Sequence, residues 1–198
     1  MIKHKLKGQT MIEMLVVFFI ISMGLYAAIT LIFANVVLQE QDANNIVAMN
    51  MAREMLELVQ NKRDSNWMAS NDFDDGLLNI AGGCTMVPVW DGLAAPSFSY
   101  TASIADAAAT VKRSQVVQTQ GLFNNAAGTS TQFSRLLTLA PICADPTDLS
   151  DFQIPAACSC AGPIYTEKIG IRAKADVRWL RKGTQRDLTI YTDLYDWR

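Results

Sequence analysis

The sequence predicts an α+β fold in which a long N-terminal α-helix, half of it transmembrane, packs its other half on a C-terminal antiparallel β-sheet. Three observations carry this expectation. No charged residue occurs between Glu13 and Glu40. Apolar residues then recur at helical spacing, with Ala48, Ala52, Met55 and Val59 on one face. Near the C-terminus they alternate with polar residues at the strand period, first over residues 169–180 and again over 187–196.

The uncharged run is long enough to cross a bilayer. Residues 14–34 carry one serine and one threonine, and as a helix they extend about 31 Å, the thickness of the hydrocarbon layer. Lys3, Lys5 and Lys7 precede the run, while Glu40 and Asp42 follow it. This asymmetry keeps the N-terminus in the cytoplasm and sends the chain beyond about residue 40 outside. A removable secretory signal would have a shorter apolar region and a small-residue cleavage site. Here polar Asn35 is followed by bulky Val36, Val37 and Leu38.

A plain signal anchor does not account for Gly8-Gln9-Thr10-Met11-Ile12-Glu13, where glycine ends a basic leader and a carboxylate stands at the mouth of the span. A charge there costs several kcal/mol, about 3 on insertion scales, unless it finds a partner. The segment resembles the type IV prepilin signal: a basic leader, Gly (here Gly8), then a mature chain with Thr second and Glu fifth (here Thr10 and Glu13). The resemblance implies that a prepilin peptidase cuts between Gly8 and Gln9 on the cytoplasmic side and methylates the new amino group. It also implies that Glu13 pairs with the α-amino group of Gln9 on a neighbouring subunit, setting the register of a filament. Gln9 departs from the family's usual phenylalanine. Thr30 stands where many major pilins have proline, which leaves Gly24 as the weak point of the span.

These readings divide the chain into a leader at 1–8, a membrane and filament-core helix at 9–34, an amphipathic extension at 35–67 and an extracytoplasmic domain at 68–198. In the extension, Ile46, Val47, Met51, Leu56 and Leu58 widen the apolar stripe, and Met49, Met51 and Met55 are expected as core fillers. Lys62 and Arg63 suit the negative end of the helix, Ser65-Asn66 favour leaving it, and Trp67 is expected as a lid on the core. Residues 52–67 also resemble the end of this helix in a subgroup of bacterial pseudopilins.

From residue 69 to about 132 the chain is rich in Gly, Ala, Ser and Asn, with strand-like runs at 86–90 and 98–104. Asp72, Asp74, Asp75 and Gly76 suggest calcium by clustering, but the spacing and terminal glutamate of a calcium loop are missing, so turns are expected there and at Asp145-Pro146-Thr147-Asp148. The four cysteines, Cys84, Cys143, Cys158 and Cys160, admit a zinc set or two disulfides. An extracytoplasmic location favours disulfides. A bridge within Cys158-Ser159-Cys160 would be strained, so these two are expected to pair separately with Cys84 and Cys143, in an order left open.

The C-terminal alternation places Ile169, Ile171, Ala173, Ala175, Val177 and Trp179 on one face of a half-buried strand. After Arg181-Lys182-Gly183-Thr184 the chain returns with Leu188, Ile190, Thr192 and Leu194 on one side, which makes a β-hairpin. Residues 133–139 supply a third strand. The opposite face carries Lys168, Arg172, Lys174, Arg178 and Lys182, with Arg181 and Arg186 close by. It is a candidate surface for an anionic partner such as DNA, weighed against an ordinary solvated strand face.

Composition narrows the function classes. The formal charge is −2, and without the three leader lysines the chain holds 14 basic against 19 acidic residues, a net −5, which argues against whole-domain attraction to nucleic acid. The only histidine, His4, lies in the leader. Histidine-based catalysis and histidine metal sites are therefore excluded from the outer domain, and neither an enzyme nor a cofactor is expected. The expected role is a structural subunit, a minor pilin by its length and loops, whose partners are the prepilin peptidase, other pilin subunits and, before assembly, membrane lipid. The alternatives are a pseudopilin of a type II secretion or DNA-uptake machine and an uncleaved, signal-anchored surface binding protein.

Overall fold

The computed structural model describes residues 9–78, 83–89, 97–116, 119–125 and 128–196. One helix, α1 (Gln9–Met68), runs through two compact units that divide between Ile46 and Val47.

In the first unit, every large apolar side chain from Met11 to Leu38 is exposed. Its most apolar 18-residue window has a mean hydropathy of 2.5 and buries nothing. Length and composition suit a bilayer span. The serine and threonine hydroxyls of the run fold back on the helix: Ser22 Oγ donates to the Phe19 carbonyl at 2.9 Å and Thr30 Oγ1 to that of Ala27 at 2.8 Å. Neither of these two hydroxyls then needs a partner outside the helix. The helix continues unbroken through Gly24.

The second unit is helix on sheet. Its strands are β1 (Thr85–Val89), β2 (Ser97–Tyr100), β3 (Thr110–Val116), β4 (Thr119–Asn124), β5 (Thr129–Asp145), β6 (Asp148–Gln153), β7 (Glu167–Arg181) and β8 (Thr184–Tyr195). All the recorded pairings are antiparallel, and β5 is the hub. One edge of β5 pairs with β7 from Phe133↔Trp179 to Ala144↔Glu167, and β7 pairs with β8. Its other edge is shared by three partners: β3 near Ser130 and Ser134, β1 at Leu137 and Thr138, and β6 from Cys143.

The strand expected at 133–139 thus extends through Pro141, and the pairing explains how. The Leu139 N–H donates to the Cys84 carbonyl at 2.8 Å. Two residues on, Pro141 directs its missing donor to the same edge, in the gap between β1 and β6, so no ladder bond is lost.

Helix and sheet meet through small residues. Ala48, Ala52, Met55 and Val59 of α1 are fully buried in one cluster with Ile171, Ala173, Ala175 and Val177 of β7. Met51 is also buried, while Met49 and Leu58 are half-buried. Ile46 corrects the expected stripe: it is 62% exposed, because two residues before Ala48 is roughly 200° around the helix, on the opposite face. A smaller cluster of Val87, Ala109 and Leu136 lies apart from this core.

Two other boundaries differ from expectation. The helix does not end at Ser65-Asn66 but runs on to Met68. It closes through Ser70 N–H to the Trp67 carbonyl and Asn71 N–H to the Asn66 carbonyl, with Ser70 in the left-handed conformation, φ 60°. This paired arrangement satisfies the last carbonyls. The run at 98–104 forms a strand only as far as Tyr100. Beyond it Ser103 and Asp106 bond to the N–H groups of Ala105 and Ala108, and such local bonds compete with a ladder. The other run forms β1, and Trp90 lies outside the described residues.

Candidate functional site

Of the N-terminal residues singled out by the sequence, Gly8 lies outside the described residues, as does the rest of the leader. Gln9 and Thr10 open α1. Glu13 follows within the first turns and is exposed between exposed Ile12 and Met14. It is the only charged side chain from Gln9 to Leu38. The site is therefore one carboxylate on an otherwise apolar helix surface, open to whatever surrounds it.

The four cysteines form two disulfides, Cys84–Cys158 and Cys143–Cys160, with Cα separations of 5.3 and 5.6 Å. Cys158 and Cys160 do pair separately, and the open order is settled by β5. Cys143 lies in β5 beside β6, whereas Cys84 lies just before β1, alongside Leu139. The segment between β6 and β7 is thereby tied to two places on the sheet.

The acidic turn after α1 has a structural use. Residues 73–78 form consecutive turns. Buried Asn66 holds them by donating Nδ2 to the carbonyls of Phe73 (3.2 Å) and Asp75 (2.8 Å). The buried Asp74 carboxylate takes the ammonium of Lys168 as its partner, and that ammonium also stands 5.4 Å from the Phe73 ring centre. Among the described residues no three metal-ligating side chains converge.

The basic face of β7 is largely neutralised. Arg172 grips Asp193 with two hydrogen bonds, Nε to Oδ1 at 2.7 Å and Nη2 to Oδ2 at 2.6 Å. Arg178 Nε reaches Asp187 Oδ1 at 2.7 Å, and Lys174 reaches Asp176 at 2.8 Å. The partners of both arginines stand directly opposite them in the β7–β8 register. The bond to Asp193 raises the Arg172 pKa, the bond to Asp176 raises that of Lys174, and bonds from Arg178 and then Gln185 hold the Asp187 carboxyl below its usual range. With Lys168 on Asp74, all four candidate cations are in ion pairs. Along β7 itself the only acid among these cations is Asp176. The missing signal was the turn: with Lys182-Gly183 as its centre, counting outward sets Arg178 opposite Asp187 and Arg172 opposite Asp193.

One buried polar cluster was not anticipated. Arg135 of β5 is 1% exposed, beneath α1. Its Nη1 lies 3.2 Å from Glu54 Oε1 of the helix, and its Nε donates to Asn125 Oδ1 at 2.8 Å. Asn125 in turn donates to the carbonyls of Ala108 and Ala109. Desolvation lowers the Arg135 pKa, and the charge of Glu54 opposes that shift. An arginine in phase with Phe133, Leu137 and Leu139 was the available sequence signal.

Trp67 is 7% exposed in the main core, as its predicted lid role requires, with the Arg63 guanidinium 4.5 Å from its ring centre. No protein-family model, curated protein or solved structure matches the chain.

Proposed function

We propose that this chain is a type IV pilin-like structural subunit, cut after Gly8 by a prepilin peptidase and built into a filament through the apolar part of α1. The observation that carries the reading is Glu13, a single carboxylate on a helix surface that is otherwise apolar and uncovered from Met11 to Leu38. Before assembly, lipid covers that surface, with the N-terminus in the cytoplasm and the sheet domain outside. In the filament, the same surface meets other subunits, and Glu13 neutralises the α-amino group that cleavage creates on Gln9 of a neighbour. A subunit out of register would leave both charges unpaired in an apolar setting, which is costly. The chain is a substrate of its processing enzyme and a building block, not a catalyst. The two disulfides suit an oxidising compartment outside the cytoplasm.

A pseudopilin of a secretion or DNA-uptake machine would share this N-terminal chemistry. The ion pairing of Lys168, Arg172, Lys174 and Arg178 leaves that face little free charge for phosphates, which favours a structural subunit over a DNA-binding one.

Mass spectrometry of the N-terminal peptide from membrane and sheared-filament fractions tests the reading. The expected peptide begins at Gln9. A chain that begins at Met1 in every fraction would overturn the proposal in favour of an uncleaved anchor.

A further inference from the structure

The paired cations of β7 draw attention to those that are left. Residues 179–186, the β7–β8 tip and its flanks, hold no acid and three cations: Arg181, which has a partner, and Lys182 and Arg186. Lys182 and Arg186 are exposed and take no partner among the described residues. Asp187, next in sequence, points to the opposite face of β8, where it accepts from Arg178 Nε and from Gln185 Nε2 at 2.8 Å. Leu180, on the face of the hairpin opposite Arg186, is 60% exposed. The turn also places Lys182 in the left-handed region, φ 47°, before Gly183 at φ 80°. Glycine or asparagine suits that conformation, and other residues are strained in it. A lysine stands there against the backbone's preference.

The position of the tip says what this charge faces. Two contacts set the direction of α1 along β7 within the second unit. Glu54 meets Arg135, whose register partner is Val177, and Asp74, beyond the helix end, meets Lys168. Moving back along the helix from Glu54 therefore moves toward Arg181. From Val177 to Lys182 is about 16 Å of strand, and from Glu54 to Val47, where the unit begins, is about 10 Å of helix. The tip lies at the end of the unit where the chain enters, and residues 39–46 alone separate that entry from the apolar run.

We propose that the β7–β8 tip is a headgroup-binding element: Lys182 and Arg186 contact anionic phospholipid on the outer membrane–water interface, with Leu180 dipping into it, while the subunit awaits assembly. The proposal rests on the reading of α1 as a membrane anchor. Each cation near an anionic surface is worth about 1 kcal/mol, or roughly five-fold in occupancy.

The test uses the full chain in nanodiscs of neutral phosphatidylcholine or of phosphatidylcholine with phosphatidylglycerol. A photo-crosslinker is placed at the tip by Thr184→p-benzoylphenylalanine and, as a control, in the apolar run by Leu25→p-benzoylphenylalanine. Tip crosslinking to lipid is expected to be at least about five-fold greater with phosphatidylglycerol, and to fall to the neutral level in the Lys182→Asn/Arg186→Gln variant. Asparagine at 182 keeps the left-handed turn. Equal tip yields in the two lipids, yields indifferent to the variant, or crosslinks only to another subunit would overturn the tip proposal while the Leu25 control still labels lipid. A silent Leu25 control would instead overturn the anchor reading, and the tip proposal with it.

Discussion

Glu54 and Arg135 join helix to sheet through one ion pair, Oε1 to Nη1 at 3.2 Å, in which the arginine is buried and the glutamate is half-exposed. A buried charge is tolerable only while its partner stays in place. Glu54→Ala is expected to destabilise the fold by about 2–3 kcal/mol, below the usual range for a fully buried pair because water reaches the glutamate. Arg135→Met removes the charge itself and is expected to cost less than Glu54→Ala. Urea unfolding of the detergent-solubilised chain measures both, and the reverse order would contradict the role assigned to Arg135.

Gly170 of β7 has no room for a side chain. A Cβ there would meet the Leu194 carbonyl oxygen at 2.6 Å and the Tyr195 Cα at 3.2 Å. Both are backbone atoms of β8, so the hairpin must shift to admit it. Gly170→Ala is expected to destabilise the fold by about 1–3 kcal/mol, with faster hydrogen exchange concentrated at the end of β8 near Leu194.

The two disulfides close loops of different length, with sequence separations of 74 and 17 residues. In the chain-entropy account the longer bridge contributes about 4.5 kcal/mol and the shorter about 3. Cys84→Ser/Cys158→Ser is therefore expected to lower the unfolding midpoint more than Cys143→Ser/Cys160→Ser. Peptide mapping under non-reducing conditions should recover Cys84 with Cys158 and Cys143 with Cys160.

The Asp187 carboxyl titrates below its usual range because Arg178 and Gln185 bond to its charged form. The unfolded chain therefore binds the proton more readily, and the stabilisation is fully present above the ordinary carboxylate range and lost as pH falls through the depressed folded value. Hydrogen exchange in β8 is expected to quicken between about pH 6 and pH 3, after correction for intrinsic rates. Asp187→Asn should exchange faster at pH 6 and lose most of that extra pH dependence.

Glu13→Ala removes the carboxylate from the apolar run and should leave membrane insertion intact or improve it, since a charge opposes insertion. Recovery in sheared filaments is expected to fall at least ten-fold at equal membrane abundance. Recovery unchanged from the parent chain would refute the charge-pair role.

Local periodicity carried much of this fold. The stripe at Ala48, Ala52, Met55 and Val59 and the alternation from Ile169 to Trp179 follow from helical and strand geometry, and both faces are buried as those periods require. The acids that pair with Arg172 and Arg178 stand across the turn on β8, where the alternation of β7 alone does not show them. The middle of the chain lacked a dominant period: β1 and β3 are short, each pairs with a neighbour in sequence, β2 or β4, and each is joined to the rest of the sheet through β5. Pro141 is tolerated only because of where β1 and β6 leave a gap.

The sequence by itself determined the apolar run with its single carboxylate, the amphipathic half of the helix, the C-terminal hairpin and the separate pairing of Cys158 and Cys160. Each depends on residues close in the chain or on covalent geometry. The tertiary structure alone decided which cysteine meets which, that Asp74 holds Lys168 across 94 residues, and that Arg135 finds Glu54 beneath the helix. Those contacts depend on how distant segments are brought together around β5, and no local period encodes that arrangement.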